Sequence, residues 1–142
     1  MLLSKKIAVN INLASCRFKQ YAAAMLRRSG VDLTPEQFLL IDQLWNQGPM
    51  AQQAIADTMG KDKNSVTKLI DGLESKKLVE RRKDTKDRRS NIVAPTPKAE
   101  KMKADAKEKG ISLLDTVLEG IPEDELEAFL GTLDKLMKNM EV

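Results

Sequence analysis

Residues 62–75, DKNSVTKLIDGLES, and residues 78–93, LVERRKDTKDRRSNIV, decide the fold of this chain. In the first stretch, apolar residues recur every three or four positions, which predicts a helix that buries one face. Those residues are Val66, Leu69, Ile70 and Leu73. Asp62 is a favoured residue just before a helix and is predicted to cap this one. In the second stretch the period changes: residues 78–82 and 91–93 flank a charged tip at 83–89, which predicts a small hairpin.

Two further helices are predicted upstream. Thr34 is a typical helix cap, Pro35 suits the first helical position, and Gln37 completes a capping box. The apolar face of this helix would be Phe38, Ile41, Leu44 and Trp45. Gly48-Pro49 is expected to end it. A short helix follows, with Ala54, Ile55 and Met59 inward and Gly60 as the terminating glycine.

Long striped helices are predicted at both ends of the chain. The first should run from about Ser4 to Arg28. The second should begin at Thr96-Pro97 and end at Gly120 and Pro122. The last helix carries apolar residues at nearly heptad spacing, which form a seam along one side. The seam is Leu126, Phe129, Leu130, Leu133, Leu136, Met137 and Met140. A small domain cannot bury this much apolar surface, so we expect a second copy of the chain to cover it. The alternative is a monomer whose ends fold back on themselves.

The order helix, short helix, tight turn, helix and charged hairpin is typical of a winged helix-turn-helix. The predicted fold class is therefore mainly α with a small β-hairpin wing. We expect a DNA-binding domain over residues 31–96 and a helical dimerisation region formed by residues 1–30 and 97–142.

The composition narrows the class of protein. The 142 residues include no histidine and one cysteine, Cys16, which excludes Ser-His-Asp triads, Cys-His dyads and Cys/His zinc sites. Enzymes that use only carboxylates, lysines or serines are still compatible with the composition but are not favoured. We therefore expect neither an enzyme nor a bound metal or cofactor. The net charge is only +3, but residues 61–90 carry 11 basic and 6 acidic side chains, whereas residues 110–142 carry 2 and 8. A basic middle suits contact with a polyanion.

The candidate DNA-binding residues follow from the predicted helix and hairpin. If the apolar stripe of residues 62–75 is buried, the opposite face of the first two turns presents polar side chains suited to the major groove. These are Lys63, Asn64, Ser65, Thr67 and Lys68. The hairpin tip adds Lys86, Asp87, Arg88 and Arg89, where an arginine can enter the minor groove. We expect Asp87 to pair with a neighbouring arginine and so to fix the shape of the tip. The alternative is a solvated helix face beside a charged edge strand.

The N-terminus resembles a secretion signal, because Leu13-Ala14-Ser15-Cys16 looks like a lipoprotein cleavage box. Asn10 and Asn12 interrupt the apolar stretch, however, and the helical stripe runs through the supposed cleavage site. We therefore expect a cytoplasmic protein with no membrane partner.

From Leu33 to about Ala99 the chain resembles the MarR family of transcription regulators, named for multiple antibiotic resistance. The resemblance lies in residues 64–74 (NSVTKLIDGLE), residues 78–82 (LVERR) and the wing at 84–89 (DTKDRR). It implies a homodimer in which the first, fifth and sixth helices interlock. It also implies that residues 63–68 read the major groove of a pseudo-palindromic operator and that Arg88 reaches the minor groove. Ala51 departs from the hydroxyl residue that usually caps the third helix of the family.

The same resemblance implies regulation, commonly as a repressor, by a small aromatic or phenolic effector. Its crevice would be lined by the first helix, the Phe38–Trp45 helix and the helix after Thr96, with Tyr21, Met25, Phe38 and Trp45 as candidates that core packing explains equally well. For Cys16 we expect a buried, inert thiol rather than a redox sensor. The competing function is a winged-helix module that assembles proteins without binding DNA.

Overall fold

The computed structural model describes residues 2–142, which form six helices and three short strands. The helices are α1 (Leu2–Arg28), α2 (Pro35–Gln47), α3 (Gln52–Met59), α4 (Lys63–Ser75), α5 (Pro97–Leu118) and α6 (Glu123–Asn139). The strands are β1 (Met50–Ala51), β2 (Val79–Lys83) and β3 (Asn91–Pro95). The predicted fold class, mainly α with a small hairpin wing, is confirmed. The chain divides into two compact units, Met1–Gly110 and Ile111–Val142.

The sheet is antiparallel, with strand order β1-β3-β2. The hairpin pairs Val79 with Pro95 and Lys83 with Asn91, so both strands extend beyond the predicted limits. β1 adds a third strand by pairing Met50 with Val93. The sequence analysis missed β1, because a strand of two residues is too short to show an alternating pattern.

The core of the first unit lies between α2, α3, α4 and the sheet. Its largest fully buried side chains are Leu40, Ile41, Leu44, Ile55, Val66, Ile70, Leu73 and Val93. The predicted buried stripe of α4 is confirmed at Val66, Ile70 and Leu73, while Leu69 is only half-buried. Full burial of such side chains stabilises the fold by about 1.5–3 kcal/mol each, which fixes how α4 is rotated about its axis.

The predicted helix ends are confirmed at α2. The backbone N–H of Gln37 donates to the Thr34 hydroxyl at 3.1 Å, and the backbone N–H of Thr34 donates to Gln37 Oε1 at 3.1 Å. Pro35 takes the first helical position, and the helix ends at Gln47 before Gly48. These caps satisfy amide groups that the first turn leaves without intrahelical partners.

The remaining helices leave most of their apolar residues exposed within this single chain. In the first unit, residues 2–20 of α1 are exposed throughout. In the second unit, α6 has no buried residue, and Leu126, Leu133 and Leu136 are half-buried. None of the helices within residues 2–142 is both long enough and apolar enough to cross a membrane.

Candidate nucleic-acid interface

The two helices of the helix-turn-helix meet at a short turn over residues 60–62. Gly60 follows α3 in the left-handed conformation, with φ of 62°, and its N–H bonds back to the carbonyls of Ala56 and Asp57. A glycine suits this position because it adopts positive φ at no steric cost. α3 itself begins after Ala51, whose side chain makes no capping bond. The absence of a side-chain cap on α3, expected from Ala51 in the sequence, is therefore confirmed.

Asp62 starts α4 as predicted. Its Oδ1 accepts the backbone N–H of Ser65 at 2.7 Å. This hydrogen bond, with a second from the Ser65 side chain, holds the pKa of the Asp62 carboxyl below its usual value. The charged carboxylate also complements the positive end of the helix dipole. The cap thus fixes where the polar first turns of α4 begin.

The structure places the predicted polar residues of α4 on the side opposite its buried stripe. Lys63, Asn64 and Lys68 are exposed, whereas Ser65 and Thr67 are half-buried. No other segment of the described chain covers the three exposed side chains, since each remains in contact with solvent. The exposed face has the length and chemistry that a helix needs to reach base edges.

Thr67 differs from the rest of the set because its hydroxyl is already engaged. It donates to the carbonyl of Lys63 at 2.9 Å and accepts from Gln52 Nε2 at 2.8 Å. Gln52, the first residue of α3, therefore joins the two helices at the interface. Sequence reasoning missed Gln52, because the two residues are far apart in the chain and no motif connects them.

The wing tip is shaped by aspartate side chains that bond to backbone amides. Asp84 Oδ1 accepts the N–H of Lys86 at 3.0 Å, and Asp87 Oδ1 accepts the N–H of Arg89 at 3.0 Å. Asp84 N–H donates to the carbonyl of Ser90 at 3.0 Å and closes the loop. Asp87 fixes the shape of the tip, as expected, but it does so through the backbone N–H of Arg89 and not through an arginine side chain, which corrects that part of the expectation.

The basic side chains of α4 and the wing fall into two groups. Arg81 and Arg82 are neutralised by carboxylates of this chain: Arg81 contacts Asp71 at 2.6 Å and Glu74 at 2.8 Å, and Arg82 contacts Glu80 at 2.7 Å. Within residues 2–142 the other group forms no ion pair and no side-chain hydrogen bond. Its members are Lys63, Lys68, Lys83, Lys86, Arg88 and Arg89. Unpaired cations of this kind are available to phosphates.

Two expectations about other sites have clear outcomes. Cys16 is exposed within the single chain, so the expected burial of its thiol is not provided by this chain's own fold. One turn further along α1, Lys19 contacts Glu36 of α2 at 3.7 Å. Of the predicted crevice residues, Phe38 and Trp45 pack edge to face with ring centroids 6.3 Å apart, while Tyr21 and Met25 are half-buried.

A cleft of about 390 Å³ lies elsewhere in the first unit, between the end of α1 and the end of α4. Its apolar lining includes Ala23, Val31 and Leu33, and its charged lining is Arg27, Lys76 and Asp32, whose carboxylate lies 3.5 Å from Lys76 Nζ. Lys76 Nζ already donates to Gln37 Oε1 at 2.8 Å and to the carbonyl of Asp32 at 3.0 Å. The cleft therefore combines an apolar wall with two cations, of which Lys76 is already paired with the Asp32 carboxylate.

Comparison with known proteins agrees with this geometry. A sequence profile described as the MarR family matches residues 33–91, the segment from just before α2 into β3. The solved complex of S. aureus MepR with DNA has a TM-score of 0.85 and is 24% identical, covering 95% of this chain and 98% of that one. The organohalide-sensing regulator RdhR, solved with 2,4-dichlorophenol, has a TM-score of 0.86 at 20% identity, covering 97% and 81%. These two similarities establish the fold.

Sequence similarity to a curated regulator goes further than the fold. The chain is 32% identical over 111 residues to the HTH-type transcriptional regulator YfiV of Bacillus subtilis, covering 78% of this chain and 69% of YfiV. The aligned length includes more than the helix-turn-helix alone. With this similarity and the profile match, the chain belongs to the MarR family of DNA-binding, helix-turn-helix transcription regulators.

Proposed function

We propose that this regulator binds a pseudo-palindromic duplex operator as a homodimer and represses transcription from it. The observation that carries the proposal is the pair of cationic surfaces, the α4 face and the wing tip, which are exposed and unpaired. Lys63, Asn64, Ser65, Thr67 and Lys68 would face the major groove. Lys86, Asp87, Arg88 and Arg89 would lie along the minor groove. Membership in a family of transcription regulators favours this function over a winged-helix module that assembles proteins.

The roles within the α4 set follow from the hydrogen bonds. Lys63, Asn64 and Lys68 have side chains free to bond to bases and phosphates, whereas the Thr67 hydroxyl is held by Gln52. We therefore propose that Thr67 contacts DNA mainly through its methyl group, which suits the methyl of a thymine. MepR was solved on DNA, which supports the same mode of docking here.

The test uses a duplex enriched from random sequence by the wild-type protein and a scrambled duplex of equal length. Asn64→Ala and Lys68→Ala should weaken binding and relax the base preference, because they remove base contacts. Arg88→Ala should weaken binding to both duplexes. Removal of one phosphate contact should lower the slope of log affinity against log salt by about 0.9. Lys101→Ala, which removes an exposed cation outside α4 and the wing, serves as the control. Unchanged binding in all three variants would contradict the site.

The homodimer is supported by the apolar surface that a single chain leaves exposed. It includes Leu3, Ile7, Ile11 and Phe18 of α1 in the first unit, and Leu114, Val117, Phe129, Leu130 and Met137 in the second. A soluble monomer rarely exposes contiguous apolar patches of this extent. We propose that residues 1–30 and 97–142 form the dimerisation region and that residues 31–96 bind DNA.

An effector site is proposed at the cleft between the ends of α1 and α4. Arg27 and Lys76 suit a carboxylate or phenolate, and Val31 and Leu33 suit an aromatic ring. A carboxylate there would compete for Lys76 with Gln37 and Asp32, and so would loosen the contact of α4 with α2. RdhR, which was solved with a chlorinated phenol, supports a ligand of this class.

The effector proposal is tested by thermal shift. The acid 4-hydroxybenzoate should raise the melting temperature of the wild type, and the neutral 4-hydroxybenzamide should not, because only the acid carries the charge that Arg27 recognises. Arg27→Gln should abolish the shift. The same acid should release the selected duplex. If the acid and the amide raise the melting temperature equally, or if the acid still raises it fully in Arg27→Gln, the ligand binds elsewhere.

The remaining assignments follow from membership in the family. Members are transcription regulators rather than enzymes, and we propose no catalytic activity for this chain. Action on chromosomal DNA implies the cytoplasm. A promoter fused to a reporter, carrying the selected duplex, should be silenced by the wild type and active with Arg88→Ala. Higher reporter activity with the wild type would indicate activation instead.

A further inference from the structure

Arg81 differs from the other basic residues of the wing in that it contacts α4. It lies in the middle of β2, and its side chain is only 22% exposed. One NH2 group donates to Asp71 Oδ1 at 2.6 Å, and the other donates to Glu74 Oε1 at 2.8 Å. Asp71 and Glu74 are three residues apart and therefore lie on the same face of α4. The planar guanidinium can bind both carboxylates at once, which a lysine ammonium cannot do in the same geometry.

The neighbouring Arg82 provides the internal comparison. It contacts only Glu80, two residues away on the same strand, and its side chain is 58% exposed. Its ion pair therefore lies within β2 and does not connect the wing to another element. The two adjacent arginines thus differ in that Arg81 links the wing to α4, and Arg82 does not.

The base of the wing is held by the core, in which Val79 and Val93 are buried together with the apolar stripe of α4. The turn after α4 is fixed by the N–H of Leu78, which donates to the carbonyl of Leu73 at 2.9 Å. On the exposed side of α4, Arg81 adds the polar contacts, since its guanidinium also donates to the carbonyl of Thr67 at 3.5 Å. Among the described residues, every side-chain hydrogen bond between β2 and α4 involves Arg81. Without Arg81, apolar packing at the base alone would set the angle between the helix and the hairpin.

We propose that Arg81 is a positioning residue that fixes the angle between α4 and the wing, and so determines sequence discrimination without touching DNA. The proposal rests on the proposed DNA-binding function. α4 and the wing contact the same operator at two places, and both fit only when their separation is correct. Non-specific binding depends mainly on charge and tolerates a range of angles. Loss of the Arg81 link should therefore reduce specific binding and spare non-specific binding.

Arg81→Lys and Asp71→Asn test this proposal, with Arg82→Lys and Glu80→Gln as matched controls. The measurement is the ratio of affinities for the duplex selected by the wild type and for a scrambled duplex. Arg81→Lys keeps the charge but not the two-carboxylate contact, and its ratio should fall about tenfold, the effect of one mismatched base pair. The control variants should keep the wild-type ratio.

Asp71→Asn separates positioning from plain electrostatics. Removal of a carboxylate from the DNA-binding domain should strengthen binding to both duplexes if charge alone mattered. Positioning predicts instead that binding to the selected duplex weakens although the protein becomes more positive. Glu74→Gln should behave in the same way as Asp71→Asn. It takes the place of Asp71→Asn in the test if the Asp71→Asn protein is unfolded at the assay temperature.

The outcomes are distinct. A ratio that falls in Arg81→Lys and Asp71→Asn but not in the controls supports the proposal. The proposal is overturned if the ratio stays constant or falls equally in the controls. It is also overturned if the Asp71→Asn variant binds both duplexes more tightly. If the wild type enriches no sequence at all, the proposed DNA-binding function itself fails, and the role of Arg81 falls with it.

Discussion

At the scale of single residues, Lys77 adopts a conformation that its side chain disfavours. Among residues 2–142 it is the one non-glycine residue with positive φ, at 63°. The N–H of Lys77 donates to the carbonyl of Glu74, and that of Leu78 to the carbonyl of Leu73, which together form a Schellman motif at the end of α4. The left-handed position of this motif usually holds glycine.

Lys77→Gly should therefore stabilise the protein. The gain should be about 1 kcal/mol, because glycine avoids the steric cost that a Cβ atom brings at positive φ. Urea unfolding at one fixed protein concentration measures it. Lys77→Ala is the control, since it removes the charge and retains the Cβ atom. An equal gain in Lys77→Ala would assign the effect to charge repulsion rather than to the backbone.

Asp62 links the start of α4 to pH. Because its pKa is lowered in the folded chain, its carboxylate stabilises the fold above the unfolded pKa, and this stabilisation is lost as the pH falls through the folded pKa. Asp62→Asn keeps an oxygen acceptor for the Ser65 N–H but cannot titrate. The stability advantage of the wild type over Asp62→Asn should shrink as the pH is lowered from about 6 to below about 4. An advantage that is constant or grows on acidification would exclude this role.

At the scale of elements, α2 and α4 approach each other closely at Gly72. A Cβ atom there would lie 2.7 Å from Gln37 Nε2. Gln37 cannot easily move, since it is buried and its Oε1 accepts bonds from the Thr34 N–H and from Lys76 Nζ. The same amide thus serves the cap of α2 and the packing of α4.

Gly72→Ala should destabilise the protein by about 1–3 kcal/mol through this steric conflict. In a Gln37→Ala background the conflict is absent, and the better helix propensity of alanine should make the same change favourable by up to about 1 kcal/mol. Urea unfolding of the four proteins of this double-mutant cycle measures the coupling. An equal cost in both backgrounds would show that Gln37 is not the obstacle.

The elements also show what could be predicted from the sequence. Thr34, Asp62 and Gly60 act on their own few neighbours, so the ends of α2, α3 and α4 followed from local rules, as did the buried stripe of α4. Contacts across the fold did not follow. Gln52 and Thr67 are 15 residues apart, and Arg81 and Asp71 are 10 apart, so their pairing depends on how the elements pack. The sequence predicts an arginine side chain as the partner of Asp87, because charge is visible in a sequence, whereas the turn that offers it the backbone N–H of Arg89 is not.

At the scale of the whole molecule, exposed cations and exposed apolar side chains lie on different parts of the chain. Unpaired cations lie on α4 and the wing, and exposed apolar residues lie on the terminal helices. A duplex has pseudo-two-fold symmetry, so a two-fold dimer places one winged helix on each half-site about one helical turn apart. In the proposed homodimer the apolar surface would bear directly on DNA binding, because each half-site contact would strengthen the other.

Leu130→Glu tests this connection. Leu130 is exposed on the apolar side of α6, and a charge buried there by a second copy should raise the dimer dissociation constant at least tenfold, since a central interface side chain contributes about 2 kcal/mol. Sedimentation measures the dissociation constant, and binding to a duplex with two half-sites should weaken in parallel while binding to one half-site does not. Lys135→Glu, which introduces the same residue on the opposite face of α6, should leave both unchanged. A wild type that sediments as a monomer, or a Leu130→Glu variant that remains dimeric, would remove the terminal helices from the interface and return their apolar surface to an intramolecular role.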